Sequence, residues 1–270
     1  MKYRFISDSH IHSIHSFDGN DSVMMLCERA VALGLYSITI TDHCECNEYF
    51  KENVHDSIQN SILNIAKARA YYSGKINIYS GIELGQATQD PSAAQDALSL
   101  CDYDFVLGSL HNLKGMQDFY FLKYTEENIK SLLDRYFTEL YELAEDNQFD
   151  SLAHITYPLR YIAESSIQNF KLEAWQEQLD AVLSVLVKND KALEINTSGL
   201  RQKIGKTLPD AAVLNRFREL GGRYITIGSD AHRWGDIASG IEDGLKLALE
   251  CGFTHFTVFD QRQPHLLPIG

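Results

Sequence analysis

The stretch Tyr3-Arg4-Phe5-Ile6-Ser7-Asp8-Ser9-His10-Ile11-His12-Ser13-Ile14-His15-Ser16-Phe17-Asp18 changes character halfway. Tyr3–Ser7 reads as a short strand. Directly after it come Asp8, His10, His12, His15 and Asp18, residue types that bind metal ions. His10 and His12 lie two apart on an extended segment, so both imidazoles point to the same side and can reach one ion. A helical pattern comes next over Ser22–Leu33, with Asp21 or Ser22 placed to cap it and Gly34 at its stop.

The same unit recurs down the chain. Strands are expected at Tyr36–Thr41, Ile76–Ser80, Phe105–Ser109, Asp150–Ala153, Ala192–Ile195, Tyr224–Gly228 and Thr254–Phe259. Helices are expected at Ser57–Tyr72, Ser92–Leu100, Thr125–Asn147, Lys171–Lys188, Leu208–Leu220 and Ile237–Cys251. Pro209 falls in the first turn of the fifth of these, where a missing N–H costs little. Seven to eight alternating βα units predict a parallel sheet, most simply closed into a barrel. One domain spanning 1–270 accommodates them, with no linker, repeat or low-complexity tract between.

The residues just past each strand decide the chemistry. After the second come Asp42 and His43, after the third Glu83, after the fourth His111, and after the fifth His154. Glu194 and Asn196 close the sixth, and Asp230 and His232 come after the seventh. A lone histidine here would be an ordinary loop residue. Seven of ten at the same position in the repeat are not scattered by chance, because the C-terminal strand ends of a barrel converge on one mouth. Histidines with Asp and Glu, and without a cysteine pattern, suit Zn, Mn or Fe at a catalytic site. Glu83 has two oxygens and so can bridge two ions. His55, His255 and His265 fall outside the pattern.

Composition narrows the partners. The chain has 270 residues, 44% hydrophobic, and 24 Lys/Arg against 37 Asp/Glu give a formal charge of −13. Such acidity opposes a nucleic-acid partner, which needs clustered cations. It permits a small phosphorylated substrate if metals supply local positive charge. No apolar run approaches a membrane span. The N-terminus runs straight into a strand pattern with no room for a signal peptide, so the cytoplasm is the expected location. The five cysteines read as reduced thiols, with Cys44 and Cys46 as bystanders to His43.

Taken together, His10-Ile-His12-Ser with Asp18-Gly19, Thr41-Asp42-His43, Gly81-Ile-Glu83, Gly108-Ser-Leu-His111, Ala153-His154, Glu194-Ile-Asn196 and Gly228-Ser-Asp230-Ala-His232 resemble the PHP (polymerase and histidinol phosphatase) family. The resemblance implies an α/β fold, a distorted (β/α)7 TIM-like barrel with two or three metal ions at the C-terminal strand ends. It implies that His10, His12, Glu83 and Asp230 hold one ion. Glu83, His111 and His154 would hold a second, with Glu83 bridging. Asp18, His43 and His232 would hold a third, His15 being the competitor for Asp18.

Gly108–Tyr124, Tyr157-Pro-Leu-Arg160-Tyr161 and Asn196-Thr-Ser-Gly-Leu-Arg201 resemble the histidinol-phosphatase branch. The free-standing chain and its acidity oppose the polymerase-associated branch. The implied activity is hydrolysis of L-histidinol phosphate to L-histidinol and phosphate in histidine biosynthesis, with a hydroxide bridging two ions as nucleophile. Arg160 and Arg201, on the mouth side, are the expected phosphate contacts, since guanidinium binds phosphate oxygens in pairs. Asp42 is expected to orient an imidazole through its free N–H. Glu45, His15 and Asp42 are candidate acids for the leaving group, and Glu45, Asp118 and Glu164 candidate partners for its ammonium. Alternatives are a PHP phosphoesterase acting on nucleotides, short oligonucleotides or phosphotyrosine, an amidohydrolase, whose barrels also open on HxH, and a non-catalytic metal-binding scaffold.

Overall fold

The computed structural model describes residues 3–167 and 170–270. The strands are β1 Ser7–Ile11, β2 Ser37–Ile40, β3 His43–Glu45, β4 Asn77–Gly85, β5 Phe105–Ser109, β6 Ser151–Leu152, β7 Ala192–Asn196, β8 Ile225–Gly228, β9 His255–Asp260 and β10 Gln263–Pro268. The α-helices are α1 Val23–Ala32, α2 Val54–Tyr71, α3 Pro91–Leu98, α4 Ile129–Asp146, α5 Leu159–Ile162, α6 Gln176–Lys188, α7 Ala211–Glu219 and α8 Ile241–Glu250. Seven strands lie side by side in the order β1-β2-β4-β5-β6-β7-β8, all parallel. The loop after β8 returns to β1. Asp230 N–H donates to the His10 carbonyl at 2.9 Å, and His12 N–H to the Ala231 carbonyl at 2.8 Å. A nearly closed seven-stranded parallel barrel results, as the βα rhythm predicts.

Two hydrophobic clusters separate by strand face. Ile38, Ile40, Ile78, Val106 and Ile195 belong to the large cluster with helix residues such as Leu26, Leu140 and Leu183. Phe105, Leu107, Ala153, Ala192 and Phe259 form a second, small cluster. Phe105 and Leu107 share the face that leads two-by-two to His111, so this cluster precedes the mouth residues along the strands. The β9–β10 hairpin seals that end. Phe259 stacks on Phe105 at 5.3 Å, and Arg262 pairs with Asp150, which precedes β6. Gln261 N–H and Arg262 N–H both reach Asp104, which precedes β5. The second strand of this hairpin is not foreseen in the sequence, because its residues are mostly exposed and carry little pattern.

The differences from expectation have local causes. The first strand is Ser7–Ile11 rather than Tyr3–Ser7. Its inward positions are metal-ligand types, which hydrophobic patterning excludes. For the same reason β4 continues through Glu83 to Gly85. Helix α7 starts at Ala211, not Leu208. Asp210 caps it by accepting from Ala212 N–H at 3.2 Å, and Leu208 instead exchanges backbone hydrogen bonds with Asn196. Pro209 therefore lies before the helix. Thr125 and Asn128 bond each other ahead of α4, whose first residue is Ile129. Ser22 caps α1 through Met25 N–H, as expected. Among the described residues no helix is long and apolar enough to cross a membrane.

Candidate metal centre

The barrel brings its strand ends to one mouth. Strand β1 supplies His10, and His12 comes directly after it. Strand β3 places His43 opposite Glu83 of β4 in parallel register. His111, His154, Asp230 and His232 lie just beyond β5, β6 and β8. His10, His12 and Glu83 are fully buried; His111, His154 and Asp230 are buried too.

Three groups of ligand atoms face one another. In the first, His10 Nε2 lies 3.4 Å from Glu83 Oε2 and 3.7 Å from Asp230 Oδ1. His12 Nε2 lies 3.5 Å and 3.4 Å from the same two oxygens. In the second, Glu83 Oε1 lies 3.2 Å from His111 Nε2 and 3.0 Å from His154 Nε2, which are 3.3 Å from each other. In the third, Asp18 lies 3.1 Å from His232 Nε2 and 3.6 Å from His43 Nε2. Tetrahedral ligands at about 2.0–2.1 Å from one zinc leave neighbouring donors about 3.3–3.4 Å apart. The first two groups have that spacing. Glu83 presents one oxygen to each.

Hydrogen bonding tests whether a cation fits. Three of the four atoms of the first group, His10 Nε2, His12 Nε2 and Glu83 Oε2, are buried with no hydrogen-bond partner. Each such atom costs about 1–3 kcal/mol when left unpaired. A divalent ion among them satisfies all at once. Charge points the same way. Burial pushes the carboxyls of Glu83 and Asp230 up, but the surrounding histidines outweigh it and hold both well below the usual carboxylate range. Burial, and then the charges of His43 and His232, drive His12 down to about 3.

The backbone is strained at two of the candidate ligands. Asp230 has φ of 55° and His154 of 20°, both on the positive side that β-carbons disfavour. Their amides are held by His10 O and by Glu194 Oε2 at 2.9 and 2.8 Å.

The groups that aim the imidazoles are the least visible in the sequence. Glu194 Oε1 binds His10 Nδ1 at 2.6 Å, and its other oxygen accepts His154 N–H and Asn196 Nδ2. Glu45 binds His111 Nδ1 at 2.9 Å and also Gln86. Burial pushes Glu45 up, yet His111 and His43 hold it far below its usual range. It is thus engaged by the cluster rather than free for a leaving group. Glu194 stands at a strand end with Asn196 two residues on, which is the only signal it offers.

Other expected residues are placed differently from expectation. Asp42 touches no imidazole. It accepts Ser13 N–H, Ser13 Oγ, Ser16 Oγ and Ser61 Oγ at 2.6, 2.8, 2.8 and 2.5 Å. Arg201 is not at the cavity. Its guanidinium donates to the carbonyls of Ser229, Asp230 and Ser239, at 2.8 to 3.4 Å, and so braces the loop after β8. His15 turns to Asn64 at 2.9 Å, leaving Asp18 as the residue beside His43 and His232. Glu164 is exposed and lines a neighbouring cleft with Tyr120 and Tyr161.

Arg160, on α5, is buried at the mouth. Its Nη2 lies 3.1 Å from Ser198 Oγ and 3.6 Å from Asp230 Oδ2, its plane sits over Tyr157 at 4.6 Å, and its Nε has no partner. A cavity of about 350 Å³ joins Arg160 to His43, Glu83, His111, His154, Asp230 and His232, with Asp118 and the rings of Phe17, Tyr120, Phe121 and Tyr161 on its walls.

A family model described as PHP domain matches residues 8–198. A probable histidinol-phosphatase of Thermotoga maritima is 31% identical over 93% of this chain and 94% of its own. One of Clostridium acetobutylicum is 28% identical over 91% and 94%. A crystal structure of histidinol phosphate phosphatase from Lactococcus lactis, complexed with zinc, L-histidinol and phosphate, superposes with a TM-score of 0.74 at 25% identity, covering 96% of this chain and 98% of that one.

Proposed function

Because the chain belongs to the PHP-domain family, we propose that it is a metal-dependent phosphomonoesterase that hydrolyses L-histidinol phosphate to L-histidinol and inorganic phosphate. The observation that carries this reading is one cavity lined by members of all three His/carboxylate groups together with Arg160 and Asp118. The whole chain, 1–270, acts as one barrel domain in the cytoplasm, on a small phosphorylated substrate and without nucleic acid.

His10, His12, Glu83 and Asp230 would hold one ion, and Glu83, His111 and His154 a second. Asp18, His43 and His232 would hold a third. Zinc, manganese and iron all suit such donors. Bound divalent ions supply Lewis acidity, which activates water and polarises a phosphoryl group. Arg160 binds the phosphoryl oxygens. Its place over Tyr157 and beside Ser198 holds the guanidinium plane fixed, so little reorganisation is needed as charge builds there. Arg201 acts at one remove, by fixing the loop that carries Asp230.

The leaving alcohol carries an ammonium and an imidazole. Asp118 suits the ammonium. It lies on the cavity wall, accepts Tyr120 N–H at 2.6 Å, and no Lys or Arg pairs with it among the described residues. Burial pushes its carboxyl up, which a cation would reverse. Phe17, Tyr120, Phe121 and Tyr161 offer ring faces to the imidazole.

A substrate panel tests the reading. Purified protein supplied with Zn or Mn is given histidinol phosphate, nucleotides, phosphotyrosine and an aryl phosphate. Histidinol phosphate is expected to have the highest kcat/KM. A protein that ignores it and cleaves nucleotides has another substrate.

A further inference from the structure

We infer that Ser16, clamped by Asp42, fixes His12 with its proton on Nδ1 and its Nε2 lone pair aimed into the first ligand group. A serine hydroxyl has one proton and two lone pairs. Ser16 Oγ has three neighbours to share them. The His43 backbone N–H, at 3.0 Å, only donates, so it takes one lone pair. Asp42 Oδ1, at 2.8 Å, takes the hydroxyl proton. His12 Nδ1, at 3.2 Å, is left with the second lone pair, and only a protonated nitrogen can use it.

In a neutral imidazole the other nitrogen is then bare. That nitrogen, Nε2, faces Glu83 Oε2 at 3.5 Å and Asp230 Oδ1 at 3.4 Å. Both are carboxylate oxygens with lone pairs of their own. Three acceptor atoms then face one point with no proton of His12 between them, an arrangement that a cation satisfies, while His43 Nδ1 approaches Glu83 Oε2 from the other side at 2.8 Å. The opposite tautomer would place a proton at that point and block the ion.

Asp42 can hold Ser16 this way because its own position is fixed. Ser13 N–H at 2.6 Å shares Oδ1 with Ser16, and the hydroxyls of Ser13 and Ser61 occupy Oδ2. Ser61 comes from α2, so a helix outside the barrel secures the group that sets a ligand's tautomer. Asp42 is therefore a positioning residue that acts through Ser16. The inference rests on the proposed metal site, but concerns which nitrogen carries a proton, not which substrate is cleaved.

Nitrogen-15 NMR of the zinc-loaded full chain reads the proton directly. It is expected on His12 Nδ1; finding it on Nε2 overturns the inference. Zinc affinity, measured by competition with a chromophoric chelator, gives the second readout. Ser16→Ala and Asp42→Ala are each expected to weaken zinc binding at the first group, which holds His12, by about 10–100-fold. Asp42→Asn is expected to restore most of that affinity. Ser13 N–H directs its remaining oxygen to the Oδ1 position, where Ser16 still finds an acceptor. Wild-type affinity in Ser16→Ala, or a loss in Asp42→Asn equal to that in Asp42→Ala, overturns the inference. A wild-type chain that binds no zinc instead refutes the metal reading beneath it.

Discussion

Glu83 shows how one residue organises the mouth. Its two oxygens point into two different groups of histidines, so its side chain cannot be replaced by a monodentate donor without opening one of them. On the proposed function, Arg160 and Asp118 would divide the remaining work by charge. Arg160 faces the position where anionic oxygens would sit, and Asp118 the position of a cation. Their variants should therefore fail differently. Arg160→Ala is expected to keep its metals and to lose about 10²–10³-fold in kcat on every phosphate ester, as removal of one preorganised donor does. Asp118→Asn is expected to raise KM for histidinol phosphate while leaving an aryl phosphate monoester, whose leaving group carries no ammonium, nearly unaffected. Steady-state kinetics on both esters, with metal content measured alongside, separates them; equal effects of Asp118→Asn on the two would remove it from ammonium recognition. At this scale the residues that meet at the mouth could be read from the chain. Few residue types bind metals, and seven histidines at repeated positions leave few other readings. That Glu194 and Glu45 hold imidazoles could not be read, since no spacing in one dimension pairs position 194 with 10, or 45 with 111. Arg201 misled for the opposite reason. Its acceptors are backbone carbonyls, which leave no mark in a sequence.

At the level of elements, β8 meets β1 across a glycine. A β-carbon added at Gly228 would lie 2.3 Å from His10 Cβ and 2.7 Å from Glu194 Oε1. The absence of a side chain there lets His10 and its orienting carboxylate share the space above β8. Gly228→Ala must push β8 off β1 or swing His10 away from Glu194. Overpacking of this kind costs about 1–3 kcal/mol. Thermal unfolding is expected to show a lowered Tm, and metal titration a weaker first ion. An alanine variant with unchanged Tm and affinity would mean that the strands separate there without resistance. The alternation of elements was legible because helices carry a 3.6-residue apolar period and strands a run of β-branched residues. The ends of β1 and β4 were not. Both continue into polar residues that face the mouth, so hydrophobic patterning stops before the strand does.

The molecule as a whole carries its formal charge of −13 unevenly. Several of its carboxylates converge on the mouth, where they meet histidines and where bound ions would neutralise them. This makes stability depend on metal and pH together, with signs that can be worked out. In the metal-free protein, burial lowers the pKa of His10, His43 and His111, but Glu194, Glu83 and Glu45 overcome it and raise all three above the usual value, while His12 and His154, lowered by burial, contribute with the opposite sign and only below about pH 6.5. A raised histidine pKa contributes stability that is full below about 6.5 and fades as pH rises through the folded value. Glu83 and Asp230 lie well below their usual range, so between about pH 6 and 8 their contribution stays constant. The loaded protein runs the other way. Ions need deprotonated imidazoles, so protons compete with them and binding tightens as pH rises. Ligands that bind only the folded state raise its stability by mass action. The Tm difference between zinc-loaded and EDTA-treated protein is therefore expected to widen from about pH 6 to pH 8. Calorimetry at several pH values checks this. A difference that stays flat or narrows would mean that protons and ions do not compete for these histidines.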